Sequence, residues 1–458
     1  MKVFLISILI TLSISCSKKE SEVVYDIEIG QINIIKNDGT ILEEQTIYIN
    51  ADTIAAILPP RNIFYLKSKR YINGENNYLL PGFWDNHVHF RGGEQLITQN
   101  EKFLEQYINY GITTVRDAGG DLTPQVQQWN KQIQNGTRVG PTIYTSGPKL
   151  DGPNARWEGS LPVDSQESIN DALDSLQSLH TDYVKIYDST LSRKQYLDII
   201  KTAETRAMIT SGHMPFTVEL QEAIDAGLDN IEHLYYVLKG CSSQEKEITQ
   251  QIIEGTLGFW GSMEQLIATY DETTAQQTFA RLKASNTFVT PTLHIGDVLS
   301  YLDEVDHSQD TYLSHLEDAF IKTYEGRNKR AINASAKAKK DRKELQTFFI
   351  KLTKSLHDAG VQLLAGSDCG AYNSYTYPGP SLHKELEQLV KAGLTPLQAL
   401  RTSGYNGSQF LQKEGYGIAI GNKADLVILE KNPLENIRNT QSIRHTIKNG
   451  VVYTISRD

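Results

Sequence analysis

The hydrophobic pattern of the chain changes twice along its length. Between Asp26 and Leu58, short apolar runs flank the turn Lys36-Asn37-Asp38-Gly39, which is a hairpin signal. Near the other end, residues 425–429 and 445–453 have the length and the pattern of strands. We therefore predict a small β-sandwich domain formed from both termini, with the middle of the chain inserted between its two parts.

The middle of the chain alternates apolar runs of strand length with helical patterns. Eight such strand-then-helix units predict an α/β fold, a (β/α)8 TIM-like barrel. Residues 294–360 show no strand pattern, so we predict a helical insertion over about 296–350, and the charged run 329–351 is interpreted as a solvated helix face. The candidate strands are residues 81–89, 111–117, 141–147, 182–187, 207–213, 230–234, 287–293 and 361–368.

The same pattern gives the domain boundaries that we expect. At 458 residues the chain is longer than one ordinary core needs. We assign residues 1–22 to a lipoprotein signal and tether and residues 81–414 to the barrel with its helical insertion. Residues 23–80 and 415–458 are the two parts of the β-sandwich.

The first residues have the composition of an export signal. Met1-Lys2 precede an apolar run over residues 3–14, and small residues lead to Cys16. The run is shorter than the roughly 20 residues that a membrane-spanning helix needs. The segment resembles a bacterial lipoprotein processing site, although Ser13 stands where leucine is usual. We expect an exported bacterial lipoprotein, periplasmic or outer-membrane associated and held in the membrane by a lipid anchor at Cys16; the alternative is an ordinary cleaved signal.

Composition and charge narrow the class of protein. Hydrophobic residues make up 39% and charged residues 22% of the chain, as in soluble globular proteins. The net charge of −10 argues against a nucleic-acid partner, which would require a basic face. Cys241 and Cys369 are the only cysteines besides Cys16, so no disulfide framework is implied.

Candidate metal ligands stand at the ends of the predicted strands. His87 and His89 close the segment Leu80-Pro-Gly-Phe-Trp-Asp-Asn-His-Val-His89, and residues two apart on a strand point to the same side. Alone this His-x-His pair is a weak signal. It gains weight because four further strands carry residues of ligand type near their carboxyl ends, where barrel enzymes place their catalytic groups. These residues are Lys185, His213, His233 and Asp368.

Together these segments resemble the amidohydrolase superfamily of metal-dependent hydrolases, and most closely its prolidase and imidazolonepropionase-like branch. The resemblance covers roughly residues 25–458 and also fits a β-sandwich formed from both termini. The segments that carry it are Pro81-Gly-Phe-Trp-Asp-Asn-His-Val-His89, Gly111-Ile-Thr-Thr-Val-Arg-Asp-Ala-Gly-Gly120, Val184-Lys-Ile-Tyr187, Ser211-Gly-His213, Ile231-Glu-His233, Leu364-Ala-Gly-Ser-Asp368 and Gly421-Asn-Lys-Ala-Asp-Leu-Val-Ile-Leu429.

The resemblance implies a role for each ligand candidate. His87 and His89 would bind a buried metal ion, and His213 and His233 a second, more exposed one. Because an ammonium group has no lone pair, Lys185 would act as a carboxylated lysine that bridges two divalent ions, which we expect to be zinc. Asp368 would complete the buried site and take the proton of a metal-bridging water, making hydroxide attack feasible near neutral pH.

Substrate contacts are harder to predict. Dipeptidase-like relatives have a Gly-Gly-His type loop after the third strand, whereas the loop here, residues 146–157, has no histidine. Its Lys149, Arg156 and Trp157 are candidates for holding a carboxylate or a ring, and equally for covering the barrel mouth. Tyr235 and Tyr236 are candidates for a hydrogen bond to the developing oxyanion. His294 is a candidate for the cavity wall.

Two neighbouring residues, Arg116 and Asp117, end the second predicted strand. We expect them to form a structural ion pair.

The sequence therefore predicts an amidohydrolase that cleaves a carbon–nitrogen bond of a small molecule, an amide or peptide such as a dipeptide or an N-acyl amino acid. One alternative is a mononuclear deaminase or imidazolonepropionase-like cyclic amide hydrolase, in which Lys185 is structural. Another is a binding lipoprotein without turnover, although no ligand residue is missing. The oligomeric state does not follow from the sequence.

Overall fold

A computed structural model gives the fold and describes residues 24–60 and 66–455. The predicted signal, residues 1–22 with Cys16, lies outside the described residues, so export and lipidation stay predictions. Within the part that is described, no helix has both the length and the apolar character needed to cross a membrane.

The strands fall into a group at each end of the chain and a group between them. The strands are β1 (Val24–Ile35), β2 (Ile41–Asn50), β3 (Thr53–Leu58), β4 (Lys67–Asn73), β5 (Tyr78–Pro81), β6 (Phe83–Val88), β7 (Ile112–Asp117), β8 (Thr142–Thr145), β9 (Leu150–Asp151), β10 (Leu161–Pro162), β11 (Val184–Ile186), β12 (Thr210–Gly212), β13 (Asn230–Glu232), β14 (Phe288–Thr290), β15 (Leu426–Leu429), β16 (Ile443–Lys448) and β17 (Val451–Thr454).

Helices follow most of the central strands. The α-helices are α1 (Ile97–Asn109), α2 (Thr123–Gln134), α3 (Gln166–Ser178), α4 (Arg193–Thr205), α5 (Leu220–Ala226), α6 (Tyr235–Gly240), α7 (Glu245–Ile253), α8 (Phe259–Ala268), α9 (Glu272–Ala284), α10 (Leu293–Ser300), α11 (Asp318–Lys322), α12 (Glu325–Ile332), α13 (Ala336–Ala359), α14 (Pro380–Lys391) and α15 (Pro396–Phe410). Short 3-10 turns lie at Glu94–Leu96, His307–Gln309, Thr311–His315 and Ile437–Gln441.

Strands from both ends of the chain join one eight-stranded sheet. Its order is β17-β16-β15-β5-β1-β2-β3, with β4 paired to β1. The predicted hairpin is confirmed, since β1 and β2 are antiparallel with Ile35 opposite Ile41. A two-layered sandwich, and the boundaries of the domains, stay predictions.

A β-bulge keeps one face of β1 apolar. Ile27 and Ile29 are two residues apart and face one buried apolar cluster. Ile32 and Ile34 are also two residues apart and face the same cluster. Strict alternation would place the second pair on the opposite face. The register shifts between Ile29 and Ile32, where Gln31 has a φ of +57°, and the extra residue returns the second pair to the core side.

The central strands are parallel and lie in two sheets. One sheet has the order β6-β7-β8 and the other β10-β9-β11-β12-β13-β14. Seven of the eight predicted strands are confirmed, each within its predicted range. Residues 361–368 form no regular strand, although Leu363 makes a parallel bridge to Val289 and the adjoining Cys369 makes one to Val88. An α/β fold is therefore confirmed, and a closed barrel stays a prediction.

Gly82 joins the terminal sheet to the central strands, since it alone separates β5 from β6. A Cβ atom at this position would collide with the side chain of Thr113 on β7. Glycine is required because the Thr113 side chain occupies the space that a Cβ atom would need.

Residues 293–359 form helices and turns between β14 and the bridging segment. The helix α13 begins at the cap Ser335, whose side chain accepts a hydrogen bond from Ala338 N, and ends at Gly360 with a φ of +84°. Leu345, Phe349 and Leu352 form its buried face. This face packs the helix beside the carboxyl ends of the central strands, where the site described next is found.

Candidate active site

Three of the predicted ligands form a compact buried group. The Nε2 atoms of His87 and His89 lie 3.2 Å apart, and Asp368 Oδ1 lies 3.4 Å from the first and 3.1 Å from the second. All three residues are buried. Because His87 and His89 are two residues apart at the end of β6, they point to the same side, as the spacing predicts.

Hydrogen bonds fix the orientation of this inner group. The Nδ1 atom of His89 lies 2.9 Å from the carbonyl oxygen of Gly119, so Nδ1 carries the hydrogen and Nε2 is left as an electron-pair donor. The side-chain amide of Asn373 donates to Asp368 Oδ1 over 2.8 Å. These partners hold the donor atoms in place before any ligand arrives.

Burial also sets the charge of the inner group. Loss of solvation lowers the pKa of His87 and of His89 well below the ordinary value, so both rings are neutral. Burial on its own would raise the pKa of Asp368, but interaction with the His87, His89 and His233 rings outweighs it and brings that pKa well below its usual range, so the carboxyl group is ionised. The group therefore consists of two neutral imidazoles and one carboxylate.

The other two histidines lie on the outer side of this group. His213 follows β12 and His233 follows β13, and their ring centroids are 4.8 Å apart. The His233 ring is 5.4 Å from that of His87, and its Nε2 atom lies 4.0 Å from Asp368 Oδ2. The structure thus brings together all five predicted histidine and aspartate ligands.

Two residues that the sequence analysis missed orient the outer histidines. Asp188 Oδ1 lies 3.1 Å from His213 Nδ1, and its other oxygen accepts a hydrogen bond from the Tyr236 hydroxyl over 3.0 Å. Thr292 Oγ1 lies 2.7 Å from His233 Nδ1. Asp188 directly follows the predicted fourth strand, so an acidic residue at a strand end was a usable signal. The bond from Thr292 had no such signal.

Lys185 lies beneath the histidines and forms an ion pair with Glu232. Burial, with repulsion from Lys149 and Arg116, lowers the pKa of Lys185 well below its ordinary value. Glu232 also accepts a hydrogen bond from Ser211 Oγ over 2.7 Å and lies 3.5 Å from His87 Nδ1. Glu232 was missed as a functional residue although it stands in the segment Ile231-Glu-His233, directly before a ligand.

The predicted ion pair between Arg116 and Asp117 is wrong. Neighbouring residues on a strand point to opposite sides. The Arg116 guanidinium instead lies 3.6 Å from Glu232, whereas Asp117 accepts a hydrogen bond from Thr145 Oγ1 over 2.8 Å.

A cavity of about 900 Å³ opens above the ligands. Four of the predicted substrate residues line it, namely Arg156, Trp157, Tyr235 and Tyr236. His294 does not line it, since the residue lies in the first turn of α10, where its backbone N–H donates to the Glu385 carboxylate over 2.6 Å.

Helices α12 and α13 supply the side of the cavity opposite the strands. Arg327, Arg330 and Arg342 lie on this side. The charged run 329–351 was predicted to be a solvated helix face. That holds for Lys337 and Lys340, which form surface ion pairs, but Arg330 and Arg342 from the same run face the cavity.

Comparison with known proteins identifies the family of the chain. A model described as the amidohydrolase family matches residues 78–453. Ochratoxinase from Aspergillus niger is 21% identical over 495 aligned positions, which cover 92% of this chain and 85% of ochratoxinase.

Two solved structures show the same fold. Bottromycin amidohydrolase gives a TM-score of 0.74 at 18% identity, with 93% of this chain and 86% of that chain covered. A Xaa-Pro dipeptidase with bound methionine in the active site gives a TM-score of 0.69 at 17% identity, with 93% and 99% covered. The family match confirms the resemblance to the amidohydrolase superfamily that the sequence predicts.

Proposed function

The chain belongs to the amidohydrolase family, and from this premise we propose that it is a metal-dependent hydrolase of an amide or peptide bond in a small molecule. Family membership confirms the expected class, a hydrolase acting on carbon–nitrogen bonds. The observation that carries the finer proposal is the convergence of five predicted ligands at one end of a cavity, of which His213, His233 and Asp368 line the cavity itself. We define the floor of the cavity as His87, His89, His213, His233 and Asp368.

The floor has the donor chemistry of a divalent metal site. The Nε2 atoms of two neutral imidazoles and one carboxylate oxygen face one another across 3.1–3.4 Å. Three electron-pair donors at such distances repel one another unless a cation or a shared proton lies between them. Histidine nitrogen and carboxylate oxygen suit zinc, which we propose, and manganese or cobalt also fit.

A second ion would require His213, His233 and a modified Lys185. The neutral amine of Lys185 would add to carbon dioxide, forming a nitrogen–carbon bond and releasing one proton, so that the amine becomes an anionic carbamate. Among the described residues, Lys185 Nζ and Glu232 Oε2 have no hydrogen-bond partner beyond the ion pair that they form together. A carboxylated Lys185 would satisfy its own nitrogen and supply the missing oxygen ligand.

The reaction depends on strand ends that meet on one face, as in the barrel predicted from the sequence. We propose that residues 361–369 close the barrel as its eighth strand. Its parallel bridges, from Leu363 to β14 and from Cys369 to β6, support this arrangement. The backbone N–H of Asp182, just before β11, also donates to the carbonyl of Thr145 on β8 over 2.9 Å, which joins the two parallel sheets.

The residues of the chain divide the chemistry between them. When bound, divalent ions polarise the substrate carbonyl and lower the pKa of a water molecule. Asp368, ionised and held by Asn373, accepts a proton from the attacking water on a carboxylate oxygen and delivers it to the leaving nitrogen. Burial raises the pKa of Tyr235 to about 12, so its hydroxyl stays protonated and can donate to the substrate oxygen. Tyr236 already donates to Asp188.

The first test combines metal content with a lysine substitution. We expect the purified protein to contain about two divalent ions per chain, since two-metal hydrolysis needs both. It should also release amine from a set of dipeptides and N-acyl amino acids. In Lys185→Ala the metal content should fall sharply. Lys239→Met is a matched control, because Lys239 is equally buried but donates to the carbonyl of Val218 away from the floor.

One observation favours a second candidate, a mononuclear deaminase or cyclic amide hydrolase. Lys185 already has a carboxylate partner in Glu232, as an unmodified structural lysine would. Only His87, His89 and Asp368 form a close ligand group among the described residues. One ion per chain in both the wild type and Lys185→Ala would favour this candidate. No metal in a protein that nevertheless hydrolyses amides would refute both.

A further inference from the structure

One side of the cavity carries positive charges that form no ion pair with any described carboxylate. We define the wall as Arg327 and Arg330 of α12 together with Arg342 of α13, all of which line the cavity. No described carboxylate lies within ion-pair distance of any of the three, whereas most lysines on the outer surface of the same helices have one. In a chain with a net charge of −10, such a local excess of positive charge needs a reason.

Arg342 is the least satisfied member of the wall. Its Nε and one terminal nitrogen are buried and have no hydrogen-bond partner within the described part of the chain. A guanidinium has five N–H donors, and burying them unpaired is unfavourable. Arg342 thus lines the cavity while two of its guanidinium nitrogens lack a hydrogen-bond partner, and an anionic ligand could supply that partner.

Arg327 connects the wall to the reacting centre. It donates to Asn373 Oδ1 over 2.6 Å, and the same Asn373 donates to Asp368 Oδ1 over 2.8 Å. One side chain thus separates Arg327 from the proposed proton carrier. Arg330 is three residues further along α12 and lies on the same helix face, towards solvent. An anion held here would lie close to the bond being cleaved.

Aromatic rings supply a complementary apolar surface. The ring of Tyr235 lies 5.3 Å from Phe259 and 5.1 Å from Phe349, measured between centroids, and 6.0 Å from Trp260. All four rings line the cavity. A ligand that satisfies both surfaces carries an anionic group and an apolar or aromatic group.

We propose that Arg327 and Arg342 form an anion subsite that binds the free carboxylate of the substrate, with Arg330 attracting it at the cavity mouth. The substrate class is then an N-acyl amino acid or dipeptide with an apolar side chain. This inference rests on the proposed function, because the site is filled by the substrate of that reaction. Arginine suits the role because its planar fork binds a carboxylate through two parallel hydrogen bonds.

The test uses two ligands that differ only in charge. N-acetyl-L-phenylalanine and N-acetyl-L-phenylalaninamide are titrated calorimetrically into the metal-free protein, where no turnover occurs. We expect the acid to bind at least about tenfold more tightly, as charge-assisted hydrogen bonds allow. Arg327→Gln and Arg342→Gln should each remove most of this preference and leave the affinity for the amide unchanged.

Two further variants separate loss of the subsite from loss of the fold. Arg281→Gln is the matched control, because Arg281 is exposed on α9 and does not line the cavity. It should keep the full preference for the acid. Arg327→Lys, which keeps the charge and loses the fork, should keep part of it. The thermal stability of each variant is also measured, and binding is compared only among variants that are as stable as the wild type.

The outcomes separate the subsite from the reaction. Equal binding of both ligands by the wild type, no binding of either, or equal weakening of both in the arginine variants would overturn the subsite. Hydrolysis of both ligands by the metal-loaded enzyme without preference would leave the proposed function standing and remove this inference. Discrimination in binding with no hydrolysis of either would support the subsite and count against the proposed function.

Discussion

The floor and the wall of the cavity differ in how many of their polar side chains are already hydrogen-bonded within the protein. On the floor, ligand atoms are fixed in advance: Gly119 orients His89, Asp188 orients His213 and Thr292 orients His233. On the wall, neither Arg330 nor Arg342 donates a side-chain hydrogen bond to another described residue, and Arg327 donates one. Preorganised donors suit steps that are the same for every substrate. Unpaired charges gain their partner only when the substrate binds, so they suit discrimination between substrates.

Asp368→Asn should have the largest effect on activity, and it should act on the floor alone. The amide keeps the shape of the side chain but cannot carry the proton, and general acid–base catalysis is worth about 10²- to 10⁴-fold. We expect kcat to fall by about that factor. Because the wall is untouched, the metal-free variant should bind N-acetyl-L-phenylalanine as tightly as the wild type, or more tightly. Steady-state kinetics and calorimetry measure the two quantities. Kinetics within a few-fold of wild type would contradict the proton-carrier role.

Asp188→Asn should have an intermediate effect confined to the outer half of the floor. Asp188 accepts hydrogen bonds from His213 and Tyr236, and loss of such a partner typically costs 10- to 100-fold in metal affinity or activity. Competition with a chelator measures the affinity. Asp182→Asn is the control, because Asp182 pairs with Lys413 away from the floor. A loss of metal affinity in both variants would mean a general change in the fold.

Glu385→Gln should have the smallest effect on turnover. Its effect should appear instead in the free energy of unfolding. Glu385 accepts the N–H groups of Leu293 and His294 at the start of α10, which forms part of the cavity lining beside the wall. Burial raises its pKa from 4.5 to about 8. Between these values the folded state holds a proton that the unfolded state has released, so this group lowers stability as pH rises.

The measurement is chemical denaturation of the metal-free protein at several values from pH 4.5 to 8. The stability of the wild type relative to Glu385→Gln should decrease with rising pH, by at most about 1.4 kcal/mol per pH unit, the limit for one proton. A constant difference across this range would show that Glu385 is ionised in the folded state.

The floor was predictable because it follows from local rules. His87 and His89 share a strand face by their spacing, and His213, His233 and Asp368 follow strand-like runs whose carboxyl ends must meet on one side of parallel strands. Seven of the eight strands were found for the same reason. The eighth forms only bridges, since residues 361–369 make two isolated bridges, at Leu363 and Cys369, rather than pairing along their length.

The wall and the supports of the floor were not predictable in the same way. Helical periodicity places Arg330 and Arg342 on helices but does not say which neighbour each helix face meets, so the run appeared solvated. Thr292 and Asn373 act through contacts with residues 59 and 5 positions away, respectively, and hydroxyl or amide residues are common in loops. Glu232 was not predicted because His233, which directly follows it, is the stronger ligand candidate of that segment.

Thr292 links the floor to α10, which forms part of the cavity lining beside the wall. It has a φ of +50°, in the left-handed region that a β-branched residue rarely adopts, and it stands immediately before α10. Its hydroxyl is bonded to a ring that the proposed ion would use. Relaxation of that backbone would shift α10 and turn the His233 ring at once. Occupancy of the proposed outer metal position and the placement of α10 in the cavity lining would thus both depend on the backbone at Thr292.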